Sequence, residues 1–186
     1  VSFQLRLGDL GAPVAYPELA RALGVEVGER APLSEVREAV LALRRGKGMV
    51  LDPEDHDTWS AGSFFTNPIV EPQLADSIQE AVRAARGDED ADRMPRHAVP
   101  STASGEGKEK LSAAWLIERA GFAKGYPGEE SGAKATLSTK HTLALTNRGA
   151  ATADDIVALA REVRAEVQKA FGVTLEPEPI WLGVSI

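Results

Sequence analysis

The sequence predicts an α+β fold in which helices pack on a small antiparallel sheet. Several segments repeat apolar residues at the 3.6-residue spacing of amphipathic helices, and shorter segments near both ends resemble strands. The chain has 186 residues, 43% hydrophobic and 26% charged, the composition of an ordinary globular protein. A chain of this length can bury a substantial core.

Three elements are predicted ahead of residue 60: a strand over 1–7, a short helix over 17–23 and a longer helix over 32–45. The strand follows from alternation of apolar and polar residues. Pro17 suits the first turn of the short helix, where a backbone N–H is not needed. Ser34 is predicted to cap the longer helix, which ends in two arginines and Gly46, as a helix C-terminus favours.

Five elements are predicted after residue 60: helices over 70–85, 110–120 and 152–170, and strands over 143–146 and 180–184. Thr152 can cap the longest helix, and Asp154 and Asp155 suit its positive end. Residues 86–110 hold Gly, Ser, Pro and charges with almost no large apolar side chains. They are therefore predicted to form a mobile surface insertion.

Composition excludes several classes of function. The net charge of −7 argues against a nucleic-acid surface, which needs a basic patch. The chain has no cysteine, which excludes disulfides, thiolate nucleophiles and cysteine metal sites. No apolar run approaches the roughly 20 residues of a membrane span, and no signal peptide is visible. We therefore expect a cytoplasmic protein.

Several residues are candidates for chemistry. Ser63 follows Gly62 in a turn, where glycine lets a ligand approach the backbone and serine presents a hydroxyl, although such a pair is usually structural. His56 lies in an acidic loop that is compatible with a divalent metal, and more readily with a solvated loop. A Ser/His hydrolase requires Ser63 near His141 with a carboxylate behind the imidazole. Glu178 lies between prolines that limit where its carboxylate points.

Residues 60–68 read S-A-G-S-F-F-T-N-P, and further sequence blocks follow at 110–118, 121–126, 138–147, 152–155 and 175–178. This ordered set of motifs resembles the C-terminal region of the UDP-N-acetylenolpyruvoylglucosamine reductase (MurB) family. Residues 60–68 resemble the family's N-A-G-S-F-F-K-N-P motif, and the further blocks follow in the family's order. Residues 44–68 look most like actinobacterial members. The order of the blocks, which extends over nearly the whole chain, makes the resemblance specific.

The resemblance implies an oxidoreductase of peptidoglycan synthesis that uses NADPH and FAD to reduce UDP-N-acetylglucosamine enolpyruvate to UDP-N-acetylmuramate. Ser63 matches the family's proton donor, and Glu178 matches its active-site glutamate. Gly62 and Ser63 would contact the flavin. Weaker matches assign substrate contacts to Tyr16, Lys47, Asn67 and His141. Pro17 replaces the family's usual Gly beside the tyrosine, and Thr66 replaces a common Lys.

The resemblance also predicts the domain organisation. Residues 1–7 would be the last strand of a missing FAD-binding domain, 8–177 the substrate-binding domain, and 178–186 a terminal strand that returns to the N-terminal region. A first residue that is Val, already inside a strand, is consistent with a chain cut from a longer one. Such a fragment is expected to bind no FAD tightly and to be inactive alone. The alternative is a UDP-sugar binding module without redox activity.

Overall fold

The fold is known from a computed structural model, which describes residues 2–4, 7–99 and 107–186. It confirms the α+β class: the described residues form six α-helices and two three-stranded antiparallel sheets. The chain divides into two compact units, Val1–Val50 and Leu51–Ile186. None of the helices in the described ranges is long and apolar enough to cross a membrane.

The first unit contains helices α1, Pro17–Leu23, and α2, Leu33–Gly46. Pro17 begins α1 as predicted, and Gly24 ends it with a left-handed φ of 68°. The prediction that Ser34 caps α2 is wrong. Pro32 is the N-cap residue, because its extended backbone directs the chain into a helix that already includes Ser34.

The second unit contains two sheets and four helices. The elements are β1 Ser60–Ser63, β2 Ile69–Val70, α3 Pro72–Arg86, α4 Asp88–Asp92, β3 Arg96–Ala98, β4 Glu109–Leu111, α5 Ala113–Arg119, β5 Ala135–Leu137, β6 Ala144–Asn147 and α6 Ala153–Phe171, with a 3-10 turn at His56–Thr58. The first sheet has the strand order β1-β6-β5 and the second has the order β2-β4-β3.

One hydrophobic core joins α3, α5 and α6 to the sheets of this unit. Val163 and Val167 of α6, Leu116 of α5 and Leu137 of β5 are fully buried in it. The Thr152 side chain accepts a hydrogen bond from the Asp155 backbone, and the Asp155 carboxylate accepts one from the Thr152 backbone. This capping box confirms the predicted start of α6.

Some predicted elements are corrected. The insertion over 86–110 is not a continuous loop: it contains α4, β3 and part of β4, because Ala91 and Met94 are buried and Arg96 pairs with Glu109 at 2.6 Å. Residues 100–106 lie outside the described residues, and the mobility of the insertion stays a prediction.

Residues 2–4, 7 and 180–184 form no strand with other residues of this chain. The assignment of 1–7 and 178–186 to strands beside a FAD-binding domain stays a prediction, because a strand requires a neighbour for its backbone groups. Val1, Leu5 and Arg6 of the predicted first strand lie outside the described residues. Strand β5 was not predicted.

Candidate active site

The candidate active site lies where β1 leaves the first sheet. Ser63, the last residue of β1, pairs with Ala144 of the antiparallel strand β6. The next backbone N–H, of Phe64, donates to the Leu143 carbonyl at 2.8 Å. This pairing places Ser63 beside the turn that precedes β6. In that turn, His141 Nε2 lies 3.2 Å from Ser63 Oγ. Residues 78 positions apart thus form one hydrogen-bonded pair.

A buried serine organises the turn that carries His141. Ser138 is 0% exposed, and its hydroxyl accepts hydrogen bonds from the backbone N–H groups of Lys140, at 3.0 Å, and His141, at 3.2 Å. The His141 carbonyl accepts from the Ala144 backbone at 3.0 Å. Because both backbone groups of His141 are hydrogen-bonded, the position of its side chain is restricted.

A buried carboxylate anchors the same turn from the other side. Asp57 is 4% exposed and accepts hydrogen bonds from the Thr139 backbone, at 3.1 Å, from the Thr139 hydroxyl, and from Arg148, at 2.9 Å. Burial acts to raise the pKa of Asp57, but the hydrogen bonds from Thr139 and Arg148 together outweigh it, so the pKa lies below its ordinary value. Asp57 is therefore ionised at neutral pH and paired.

Two further contacts define the turn. Lys140 forms an ion pair with Asp55, and its hydrogen bond lowers the pKa of that carboxyl. Gly125 has φ +80°, and a Cβ there would lie 3.3 Å from the Thr139 methyl group. A side chain at position 125 would therefore be strained and would press on the turn.

The segment that contains Glu178 runs alongside the residues after Ser63. The Thr66 N–H donates to the Glu176 carbonyl at 2.9 Å, and the Glu178 N–H donates to the Phe64 carbonyl at 2.8 Å. Trp181 packs edge-on against Phe64, with ring centroids 5.7 Å apart. These contacts hold the backbone of Glu178 against the residue that follows Ser63, while Glu178 itself stays exposed.

Asn67 has a structural contact that sequence reasoning missed. Its side-chain oxygen accepts a hydrogen bond from the Ala113 backbone at 2.9 Å. Ala113 is the first residue of α5, whose first N–H groups have no partner within the helix. Asn67 thus ties the loop after β1 to the beginning of α5.

Tyr16 and Lys47, the other predicted substrate contacts, belong to the first unit. Tyr16 is the N-cap residue of α1, and it is 73% exposed. Lys47 follows α2 and pairs with Glu18 of α1 at 2.7 Å. The two helices therefore bring Lys47 close to the helix end that carries Tyr16.

The structure tests the two general alternatives from the sequence. Within the described residues, no group of three or more His, Asp or Glu is placed to hold a metal ion. The structure contains the Ser63–His141 contact that the hydrolase hypothesis requires. Asp57 contacts Thr139 and Arg148, Asp55 contacts Lys140, and Glu118 accepts a hydrogen bond from Thr142 at 2.7 Å.

Sequence reasoning missed the anchors of the site, Asp57, Ser138, Thr139 and Arg148. Asp57 is one of four acids within residues 52–57, and no local signal distinguishes the buried one from the solvated ones. An apolar hollow of about 440 Å³ beside β1, lined by Leu51, Trp59, Ala61, Phe64, Leu145 and Ile156 among others, was also not predicted.

Fold and site together define an α+β domain that presents a serine hydroxyl, paired with an imidazole, at the edge of a small sheet. Residues 52–182 match the family model described as "UDP-N-acetylenolpyruvoylglucosamine reductase, C-terminal domain". Because the match covers more than half of the chain, the chain belongs to this family. The family resemblance expected from the motifs is confirmed.

Curated relatives agree with this assignment. The chain is 57% identical over 206 residues to a UDP-N-acetylenolpyruvoylglucosamine reductase of Corynebacterium jeikeium, covering 100% of this chain and 47% of the relative. Proteins of the same name from Saccharopolyspora erythraea and Streptomyces avermitilis are 59% and 56% identical, over 97% and 100% of this chain and 47% and 48% of the relatives. The chain therefore spans about half the length of these relatives, and the expected actinobacterial character is confirmed.

Proposed function

We propose that this chain supplies substrate binding and the proton donor for a reductase that converts UDP-N-acetylglucosamine enolpyruvate to UDP-N-acetylmuramate in the cytoplasm, with FAD and NADPH. The observation that carries the proposal is the Ser63 hydroxyl at the end of β1, which lies 3.2 Å from His141 Nε2, while the Glu178 backbone bonds to the next residue, Phe64. The family match encloses all of these residues.

The backbone beside Ser63 leaves room for a flavin ring to make contact. Gly62 has φ +84°, and a Cβ built on it would meet no atom within 4 Å. A flat group can therefore approach the backbone of Gly62 and Ser63 closely. The sequence has no G-x-G-x-x-G loop of the kind that cradles a dinucleotide. We infer that Gly62 and Ser63 contact FAD.

The proposed chemistry gives Ser63 one step. The chemistry that a bound flavin, reduced by NADPH, would supply is a hydride for the methylene carbon of the substrate. The π electrons then move to the neighbouring carbon, which carries the carboxylate. Ser63 gives its hydroxyl proton to that carbon: the Ser63 O–H bond breaks, the new C–H bond forms, and solvent later restores the proton. A correctly placed proton donor of this kind contributes roughly 10²- to 10⁴-fold.

Glu178 has a supporting role in this proposal. The electron pair that moves onto the substrate spreads into its carboxylate, and an acid side chain beside that group can stabilise the developing charge through a shared proton. The Glu178 backbone N–H bonds to the carbonyl of Phe64, the residue that follows Ser63. Exchange for glutamine, in Glu178→Gln, should therefore slow the step that consumes substrate and spare the reaction with NADPH.

The remaining matched residues would bind the nucleotide part of the substrate. Lys47 offers a cation for the diphosphate, and Tyr16 offers an exposed ring and hydroxyl. Asn67 keeps its side-chain nitrogen as a donor while its oxygen holds α5.

A direct assay separates the reductase from a UDP-sugar binding module. The full-length protein that carries this chain is mixed with NADPH and UDP-N-acetylglucosamine enolpyruvate. A reductase consumes NADPH in step with substrate and forms UDP-N-acetylmuramate, identified by mass spectrometry. Tight binding of the substrate with no oxidation of NADPH would establish the binding module instead.

A further inference from the structure

We propose that His141 is a positioning residue for Ser63: its Nε2–H donates a hydrogen bond to the Ser63 oxygen and so aims the Ser63 proton at the substrate. This role rests on the proposed function, in which Ser63 is an acid. The observation behind it is the distance of 3.2 Å between His141 Nε2 and Ser63 Oγ. Either atom can be the donor, since the role of a histidine nitrogen depends on its tautomer.

The chemistry of the step decides the direction of this hydrogen bond. A serine hydroxyl has a single proton to donate. If Ser63 donated that proton to Nε2, it would be directed away from the substrate, which is the arrangement of a nucleophile with its general base. If Nε2–H donates to Oγ, the Ser63 proton is left to point at the reacting carbon. The same bond also stabilises the negative charge that develops on Oγ as the proton leaves.

The backbone around His141 is built to hold such a donor in place. Ser138 binds the His141 N–H, and Ala144 binds its carbonyl. Asp57 holds the preceding Thr139 through its backbone and hydroxyl. Ser63 stands on β1, which pairs with β6 directly after the turn. Both partners therefore sit on hydrogen-bonded backbone, the condition for a pair to keep its geometry during a reaction.

The test compares four variants of the full-length protein: His141→Ala, His141→Gln, Ser63→Ala and the double variant Ser63→Ala/His141→Ala. His97→Ala is the matched control, because His97 is exposed on β3 of the other sheet. Three quantities are measured: the rate of the reaction with NADPH, the single-turnover rate with substrate, and the affinity of the oxidised protein for substrate by calorimetry.

The proposal expects a specific pattern. His141→Ala slows the substrate step by about 10- to 100-fold, the loss that follows misplacement of a reacting group, while substrate affinity and the NADPH reaction change less than about twofold. His141→Gln recovers most of the rate, because the glutamine amide N–H is also a donor. The double variant is no slower than Ser63→Ala, since a positioning residue has no effect once its target is gone.

Each of the following outcomes would overturn the proposed role of His141. Loss of substrate affinity without loss of rate makes His141 a substrate ligand. Additive losses in the double variant show that His141 acts independently of Ser63. Labelling of Ser63 by diisopropyl fluorophosphate shows that Nε2 accepts the proton and activates a nucleophile. An unchanged substrate step in Ser63→Ala refutes the proposed function itself, and this inference with it. If His141→Ala does not fold, His141→Gln carries the test: recovery of most of the wild-type rate is expected, and a loss of about 10- to 100-fold refutes donation.

Discussion

Asp57 is the residue whose removal should most disturb the architecture of the site. It is 4% exposed and accepts three hydrogen bonds, two from Thr139 and one from Arg148. In Asp57→Ala the Thr139 N–H and the Arg148 guanidinium lose their acceptor. A buried polar group left unpaired costs about 1–3 kcal/mol, and a broken buried ion pair costs about 3–5 kcal/mol. Arg148 retains 26% side-chain exposure, so water can solvate it in part.

We therefore expect Asp57→Ala to lose about 3 kcal/mol of unfolding free energy, as a shift of the urea denaturation midpoint. The single-turnover rate with substrate should fall as well, since the turn that carries His141 loses its anchor. The control is Asp88→Ala, which removes an exposed partner of Arg83 and should cost less than about 1 kcal/mol. A loss below about 1 kcal/mol in Asp57→Ala, equal to that of the control, would refute the anchoring role.

Three other outcomes are expected. The pKa of Asp57 is lowered in the folded state, so its stabilising contribution is present above the unfolded pKa of about 4 and is lost as pH falls through the lower folded value. In urea titrations between pH 3 and 6, the free energy of unfolding should therefore fall less steeply with acid in Asp57→Asn than in wild type. Equal pH dependence of the two proteins would contradict this. Thr152→Ala should cost about 1 kcal/mol of unfolding free energy by removing the cap of α6, whereas a neutral change would disprove the capping role. Asn67→Ala should lower the thermal midpoint as well as substrate affinity, because Asn67 also holds Ala113; an unchanged midpoint would exclude that structural role.

The helices were the predictable part of the fold. Helix α6 follows from periodic apolar residues, the cap at Thr152 and the glycine at 172, and each of these signals is local in the sequence. The strands have two to four residues each, so alternation is a weak signal for them. Strand β6, Ala144–Asn147, nevertheless confirms the strand predicted over 143–146. Strand β5 was missed because all three of its residues are buried, which removes the alternation of a half-buried strand.

The candidate site was only partly predictable. The ordered motifs identified Ser63, Glu178 and His141 as candidates. In the structure Ser63 contacts His141, and the Glu178 backbone bonds to Phe64. The residues that hold the turn around His141 could not be predicted, because Asp57 and Thr139 lie 82 residues apart and meet only when the sheet forms. A second role for Asn67 was hidden for the same reason.

In the proposed reaction Ser63 gives the proton that completes reduction of the substrate. This role is measured by rapid mixing of the full-length Ser63→Ala protein, with Ser77→Ala, an exposed serine on α3, as the control. Flavin reduction by NADPH should proceed within about twofold of wild type, while reoxidation by substrate should slow by roughly 10²- to 10⁴-fold. Equal losses in both half-reactions, or reoxidation at the wild-type rate, would contradict this role.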